Sequence, residues 1–346
     1  MLIVKVKKCP IKCAPIAAIM QDAALSNNQR LGIDLMGSDT PPEELLQAIL
    51  ELSDEIYPAE FFIFAAPHVI IPKNLYHIPC PDVITMEDDP ILAVRRKKNS
   101  SLCIGLKYLQ EKKIDAFLSA GNTGALLLAA KTILKTLPHI DRPALVTLLP
   151  THKKEVAVLD VGANLSLKSH HLLQLAAMGI AFQKSRGIPH PTVALLNIGT
   201  EATKGTQELR EAYIKLETLN RDRATFLGNI EGKDVFRGDI DVLVTDGFTG
   251  NIFLKTAEGL ASFILQQLEQ RALVGSPSLI HEITSLKDRL YVAEHPGAIL
   301  CGVDGIVIKC HGDITPTHFI SSIKGAARLV QHQLLEKITS NLKELA

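Results

Sequence analysis

The chain has 346 residues, enough for one large domain or two smaller ones with a substantial buried core. Its hydrophobic fraction is 47% and its charged fraction 21%, and 37 Lys and Arg balance 37 Asp and Glu, so no global field draws it to nucleic acid or to an anionic membrane. Aromatic residues make up 5% and Trp is absent, which argues against surfaces that stack bases or sugars.

The first thirty residues open with "MLIVKVKKCPIKCAPIAAIM", an apolar patch broken by Pro10, Lys12 and Pro15. It reads as an extension outside the fold rather than a secretory signal. No run reaches the roughly eighteen apolar residues of a membrane span. Of Cys9, Cys13, Cys80, Cys103, Cys301 and Cys310 only the first two are close, and no second pair completes a zinc site. The thiols read as buried or free in a reducing cytoplasm, and neither a metal nor a cofactor is expected.

From Leu31 onward, short apolar runs alternate with helical patterns. "RLGIDLM", "EFFIFAA", "DAFLSA", "ALVTLLP", "VAVLDVG", "TVALLNIG", "TFLGNI" and "DVLVTDG" each read as a buried strand, and most end in Gly, Asp, Asn or Ser. Between several of them lie amphipathic stretches such as "PPEELLQAILELSDEI", "SSLCIGLKYLQEKK" and "SHHLLQLAAMGIAFQKS". The alternation predicts an α/β fold with a mostly parallel sheet covered on both faces, residues 31–346 forming a single catalytic domain. Ligands in such folds sit beyond the carboxyl ends of the strands. Two helical patterns around "VGSPS" predict a helical hairpin at about 256–292, with Ser276 or Ser278 capping its second arm.

The loops after the strands carry the candidate chemistry. In "DLMGSDTPPEELLQAI", Gly37 permits a tight turn flanked by Asp34 and Asp39. In "FLSAGNTGALLLAAK", the small residues from Ser119 to Gly124 let backbone approach a ligand. Amides at a helix N-terminus favour anions, and Asn122 and Thr123, beside Gly121, add side-chain donors. "VLDVGANLSLKSHHLL" repeats the logic with Asp160, Gly162, Asn164 and Lys168, and "LLNIGTEATKGTQEL" adds Gly199, Glu201, Lys204 and Gly205. The densest stretch, "FLGNIEGKDVFRGDIDVLVTDGFTGNIFLKTAEG", carries Asn229, Glu231, Asp246, Gly247, Gly250 and Asn251. Lys255 follows one helical turn later and is expected to fold its ammonium over the helix N-terminus, as a phosphate site needs. His311, in "HPGAILCGVDGIVIKCHGD", reads as structural or functional.

No GxGxxG, no Walker A loop and no GxSxG elbow occurs, so the chain offers phosphate cradles without a nucleotide fingerprint. In order, "IDLMGSD", "RRKKNSS", "SAGNTGALL", "LDVGAN", "LLNIGTEATKG", "GNIEGKDV", "DVLVTDGFTGNIFLKTAEG" and "GVDGIVIKCHG" resemble the signature segments of the PlsX family of phosphate acyltransferases, over about Leu31 to Lys324. "DGFTGNIFLK" also looks like a loop of phosphate acetyl- and butyryltransferases. Two departures are Ser38, where the family usually shows a second Gly, and "HPGA" in place of "GGA". The resemblance implies a three-layer α/β/α fold akin to the isocitrate and isopropylmalate dehydrogenase superfamily, assembled as a homodimer. It implies reversible transfer of a long-chain acyl group from acyl carrier protein to inorganic phosphate in bacterial phospholipid synthesis. The acyl phosphate would feed a membrane glycerol-3-phosphate acyltransferase. A cytoplasmic protein with peripheral membrane contact follows, the helical hairpin serving either that contact or dimer packing.

The phosphate oxygens already carry charge near neutral pH, and a thiolate of pKa about 8.5 is a tolerable leaving group, so positioning and oxyanion stabilisation remain the enzyme's work. Gly121, Asn122, Thr123, Gly124 and Asn251 are expected to hold phosphate, with Lys255 and Lys204 as cations. Asn229 is a candidate oxyanion donor and His311 a candidate acid, while Asp160 and Asp246 orient these groups. Arg95, Arg96, Lys97 and Lys98 form a candidate landing patch for an acidic carrier protein. The rival readings are a phosphate acetyl- or butyryltransferase using acyl-CoA, a metal- and NAD-dependent decarboxylating dehydrogenase, and a non-catalytic membrane-associated scaffold.

Overall fold

The structure, a computed structural model, describes residues 29–54, 59–218, 224–272, 283, 286 and 297–345. Each of the eight apolar runs forms a strand: β1 (Gln29–Asp34), β2 (Ala59–Ala65), β4 (Ala116–Ser119), β5 (Ala144–Pro150), β6 (Glu155–Leu159), β7 (Thr192–Leu196), β8 (Thr225–Ile230) and β9 (Val242–Val244). β1 begins two residues before the expected start of the domain, at Gln29. Three short strands join them, β3 (Tyr76–Pro79), β10 (Ala298–Cys301) and β11 (Ile306–Lys309). β3 lies at a sheet edge with its two end residues exposed, so it lacks the buried run that marks the others.

The eleven strands form one sheet in the order β3-β2-β1-β4-β11-β10-β5-β6-β9-β7-β8. β3, β2, β1, β4 and β11 are parallel, as are β6, β9, β7 and β8, and the two blocks meet through antiparallel β10 and β5. Side chains alternate between two cores. Ala116 and Leu118 of β4 and Ala157 and Leu159 of β6 enter one, whereas Phe117, Val156 and Val158 enter the other. The first core is closed by α1 (Pro42–Asp54), α5 (Ser169–Ser185), α9 (Pro316–Gln331) and α10 (Leu334–Leu345), through Leu45, Leu172, Phe319 and Ile338. The second is closed by α2 (Pro90–Arg96), α3 (Ser101–Gln110), α4 (Thr123–Ile133) and α8 (Gly247–Ala272), through Ala93, Leu106, Leu126 and Leu254. Burial on both faces is what made these strands read as near-continuous apolar runs.

Local chemistry sets where the helices start. Asp89, Ser100 and Asn122 each accept a backbone N–H three residues on, capping α2, α3 and α4. Thr206 does the same for α6 (Gln207–Leu216), while a short α7 (Gly232–Val235) follows β8. The first arm of the expected hairpin is the latter half of α8, and its turn and most of its second arm lie outside the described residues, as do residues 1–28.

Candidate active site

Register brings three polar residues into one row at the carboxyl ends of adjacent strands. Asp34 pairs with Ser119, and Ser119 pairs with Lys309. Asp34 is buried and accepts N–H from Met36 at 3.0 Å and O–H from Ser119 at 2.8 Å. Burial nevertheless pushes its pKa up to about 6, against the opposing hydrogen bonds of Ser101, Met36 and Ser119. Ser119 Oγ in turn accepts from Gly121 N–H at 3.1 Å, which shapes the start of the expected phosphate cradle. Gly37 packs so tightly that a Cβ there would sit 2.2 Å from the Ile84 carbonyl oxygen.

Within that cradle the Asn122 side chain is taken up by the fold. Its Oδ1 caps α4, and its Nδ2 donates to the carbonyls of Thr85, Met86 and Asp88 at 3.2, 3.2 and 3.3 Å. A ligand donor was expected here; the structure makes it a tie between α4 and the segment leading into α2. Gly124 packs against Pro90 in the same joint. Thr123 faces the cavity described below.

The loop after β6 is organised by Asp160, which is fully buried and accepts N–H from Leu145, Gly162, Ala163 and Asn164, and from the Asn164 side chain. Burial still raises its pKa, with the bonds from Ala163 and Asn164 opposing. Asn164 also donates to Pro143, so its side chain, like that of Asn122, serves the backbone. Asp246 caps α8 by accepting from Thr249 N–H and Oγ1–H at 2.8 and 2.9 Å. The two loops touch: a Cβ on Gly250 would lie 1.9 Å from the Asp160 carbonyl oxygen, and Gly162 faces Asn251.

Lys255 does not fold back over the N-terminus of α8 as expected. Its Nζ pairs with Glu258 Oε2 at 2.7 Å, one turn onward, and lies 3.4 Å from His311 Nδ1. An ammonium and the N–H groups at a helix N-terminus are all donors and repel, whereas the Glu258 carboxylate accepts from the ammonium, which accounts for the pairing. An ammonium beside Nδ1 assigns the proton of a neutral His311 ring to Nε2, which lies 4.0 Å from Glu258 Oε1. Burial and then the Lys255 charge hold His311 below the ordinary imidazole range.

These groups open on a cavity of about 1240 Å³. Its polar lining includes Asp39, Thr123, Asn251, Lys255, Glu258, Lys309 and His311, with Gly162 in the wall. Leu148, Val161, Leu165, Phe248, Ile252 and Leu260 line the apolar remainder. Both parallel blocks of the sheet contribute, Asp39, Thr123 and His311 following strands of one and Gly162 and Asn251 strands of the other. Cys310 also borders the cavity, but burial pushes its thiol up to about 11, so it is no thiolate nucleophile near neutral pH.

A family model described as "Fatty acid synthesis protein" matches residues 29–337, starting where β1 starts. This chain belongs to the fatty acid synthesis protein family. Curated members similar to it include phosphate acyltransferases from Chlamydia felis, 38% identical over 91% of this chain and 99% of that one, and from Thermotoga maritima, 36% identical over 91% and 98%. Among solved structures, a phosphotransacetylase from Streptococcus pyogenes superposes with a TM-score of 0.60 at 17% identity, over 88% of this chain and 94% of that one. A branched-chain phosphotransacylase from Enterococcus faecalis gives 0.56 at 14%, over 87% and 99%. At such identity these two show a shared fold.

In this member of the fatty acid synthesis protein family, the remaining candidates form a second group. Glu201 and Lys204 follow β7, Asn229 lies near the end of β8 and Glu231 follows it, and none of the four lines the cavity. Asn229 donates to the Glu201 carbonyl at 2.8 Å, its Oδ1 is buried without a partner, and Glu231 pairs with Lys233. β8 lies three strands from β6, roughly 14 Å at the usual strand spacing, which separates this group from Asp160 along the same sheet edge. Of the basic stretch, Arg95, Arg96 and Lys98 are exposed, whereas Lys97 donates to Val83 O at 2.8 Å and Asp88 Oδ2 at 2.5 Å and so belongs to the fold.

Sequence reasoning did not single out Lys309 or Glu258. A lysine at a strand end and a glutamate in a polar helical stretch both read as solvated, and only register and packing turn them into the cavity. Nor did spacing reveal Asp141, His170 and His171, whose ligand atoms lie within 4.8 Å of one another. His171 Nδ1 accepts the Lys168 N–H at 3.1 Å, which occupies the single lone pair of a neutral imidazole and leaves two ligands, too few for a closed metal site.

Proposed function

We propose that this chain transfers a long-chain fatty acyl group from acyl carrier protein to inorganic phosphate, giving acyl phosphate and free carrier thiol. The observation that carries this reading is the cavity itself, whose mainly apolar lining also holds two lysines, Lys255 and Lys309, with His311, Asn251, Asp39 and Glu258. An alkyl chain suits the apolar walls, and an anion suits the two lysines once Lys255 exchanges Glu258 for it. The family membership and the printed activity of the Chlamydia and Thermotoga relatives support the same transfer.

In the reaction a phosphate oxygen attacks the thioester carbonyl, the new C–O bond forms, the C–S bond breaks, and the sulfur leaves with the electron pair to take up a proton. Lys255 exchanges Glu258 for the incoming phosphate, and Asn251 and the amides of Gly121–Gly124 align it. His311, neutral with its proton on Nε2, is a hydrogen-bond donor for the oxyanion or the departing sulfur. Glu201, Lys204, Asn229 and Glu231 take the more distant part of the donor. Burial of Cys310 favours direct transfer over an acyl-cysteine intermediate. The fold is read as that of the isocitrate and isopropylmalate dehydrogenase superfamily, the assembly as a homodimer, and Arg95, Arg96 and Lys98 as the carrier-protein landing patch. No helix among the described residues is long and apolar enough to cross a membrane. Contact with a membrane acyltransferase that consumes the product is read as peripheral.

The test is to incubate the protein with palmitoyl carrier protein and inorganic phosphate and to trap acyl phosphate with hydroxylamine, with palmitoyl-CoA and acetyl-CoA run in parallel. Phosphate-dependent product from the carrier-bound donor is the expected result. Product from short acyl-CoA alone would transfer the protein to the phosphotransacetylase class, and no product from any donor would remove the enzymatic reading.

A further inference from the structure

Lys309 ends β11 on the row shared with Ser119 and Asp34. It is 8% exposed, yet it borders the cavity. Its Nζ donates to the carbonyl oxygens of Cys310 and, at 3.4 Å, Ala120. Among the described residues no carboxylate oxygen lies within 4.0 Å of that nitrogen. Asp34 and Asp39 act on it only at longer range, and Lys255 acts against it.

An ammonium taken out of water is costly unless a counter-charge accompanies it, and a methionine would fill the same volume without that cost. Carbonyl dipoles satisfy two of its N–H groups and do not neutralise it. Burial accordingly presses its pKa down. A buried cation short of an anion, opening on a cavity beside a second lysine, describes a site built for an anion that arrives from outside.

We propose that Lys309 forms, with Lys255, a two-cation clamp that binds the phosphate acceptor in the cavity. The inference deepens the acyl-transfer reading and rests on it for the identity of the anion. Lys255 is mobile between Glu258 and the ligand, whereas Lys309 is fixed by its strand and the two carbonyls. Lys309 therefore sets where the phosphorus sits, and Lys255 closes over it.

The test measures thermal stability against inorganic phosphate with no acyl donor present, for wild type, Lys309→Met and Lys309→Gln. The glutamine keeps N–H donors for Ala120 and Cys310 and guards against a methionine variant that fails to fold. Wild type should be stabilised by phosphate. Both variants should melt at or above the phosphate-free wild type and lose the phosphate-dependent rise. In turnover, their KM for phosphate should climb about ten-fold or more, with KM for the acyl donor changed less than about two-fold. Equal stabilisation of all three proteins by phosphate overturns the role of Lys309 and leaves acyl transfer standing. A wild type that phosphate does not stabilise overturns the clamp. Hydroxylamine trapping of wild type decides acyl transfer separately, because the stability measurement needs no turnover.

Discussion

Asp34 is held where its charge is disfavoured, and the sign of the consequence can be worked out. Burial raises its pKa from 3.8 to about 6, so between those values the folded chain keeps a proton that the unfolded chain has released. Stability therefore falls as pH climbs through that window and stays lower above it, by up to about 3 kcal/mol for a shift near two units. Denaturant unfolding of wild type and Asp34→Asn at pH 4 and pH 7.5 should show a steeper loss in wild type; parallel losses would exclude Asp34 as the source. Lys255 supplies a second prediction. Its charge lowers the His311 pKa, so Lys255→Ala should raise that pKa toward the ordinary range in an NMR titration. The same variant should lose about ten- to a hundred-fold in kcat/KM for phosphate, the size expected for one lost charge-assisted contact. An unmoved His311 titration would break the proposed link between the two side chains. At this scale the sequence was legible in residue type and less so in role. Asn122 and Asn164 looked like ligand donors and Lys97 like part of a docking patch, and their partners turned out to be carbonyls and the carboxylates of Asp160 and Asp88. Lys309 was passed over because nothing local distinguishes a buried lysine from a solvated one.

Two glycines in α8 separate what an element needs from what it merely tolerates. Gly259 has no atom within 4 Å of an added Cβ, so Gly259→Ala should gain helix propensity and stabilise by about 0.5–1 kcal/mol. Gly250 meets the Asp160 carbonyl oxygen at 1.9 Å. There the same propensity gain is outweighed by backbone displacement, and Gly250→Ala should destabilise by about 2 kcal/mol or more. It should also lower turnover, since the N-terminal end of α8 carrying Asn251 and Lys255 is pushed off the β6 loop. Denaturant midpoints of the two variants should shift in opposite directions, and a shared direction would refute the packing argument. The strands were legible because eight of them carry side chains buried on both faces. β3, β10 and β11 have four residues each: β3 is exposed at both ends, and β10 and β11, though buried, are short runs set between glycines, too brief to stand out in the sequence.

Across the whole molecule charge is balanced, 37 basic against 37 acidic residues, so on the proposed reading an acidic carrier protein would have to be drawn by a local patch. The exposed Arg95, Arg96 and Lys98 lie at the end of α2, and α2 is fastened to α4, the helix of the proposed phosphate cradle, through Asn122 and the Gly124–Pro90 contact. A carrier docked on this patch would thus be held at a fixed distance from the cradle. Arg95→Glu with Arg96→Glu should raise KM for the carrier-bound donor about ten-fold, leave kcat and KM for phosphate near their original values, and flatten the salt dependence of kcat/KM. Lys97→Glu should behave differently, because Lys97 holds Asp88 and the Val83 carbonyl. It should lower the melting temperature and disturb phosphate KM through the Asp88–Asn122 joint, as a structural residue does. If the arginine reversals instead leave donor KM and salt dependence unchanged while the protein stays folded, the carrier approaches from another face, and the exposed Lys204 beyond β7 becomes the charge to reverse next.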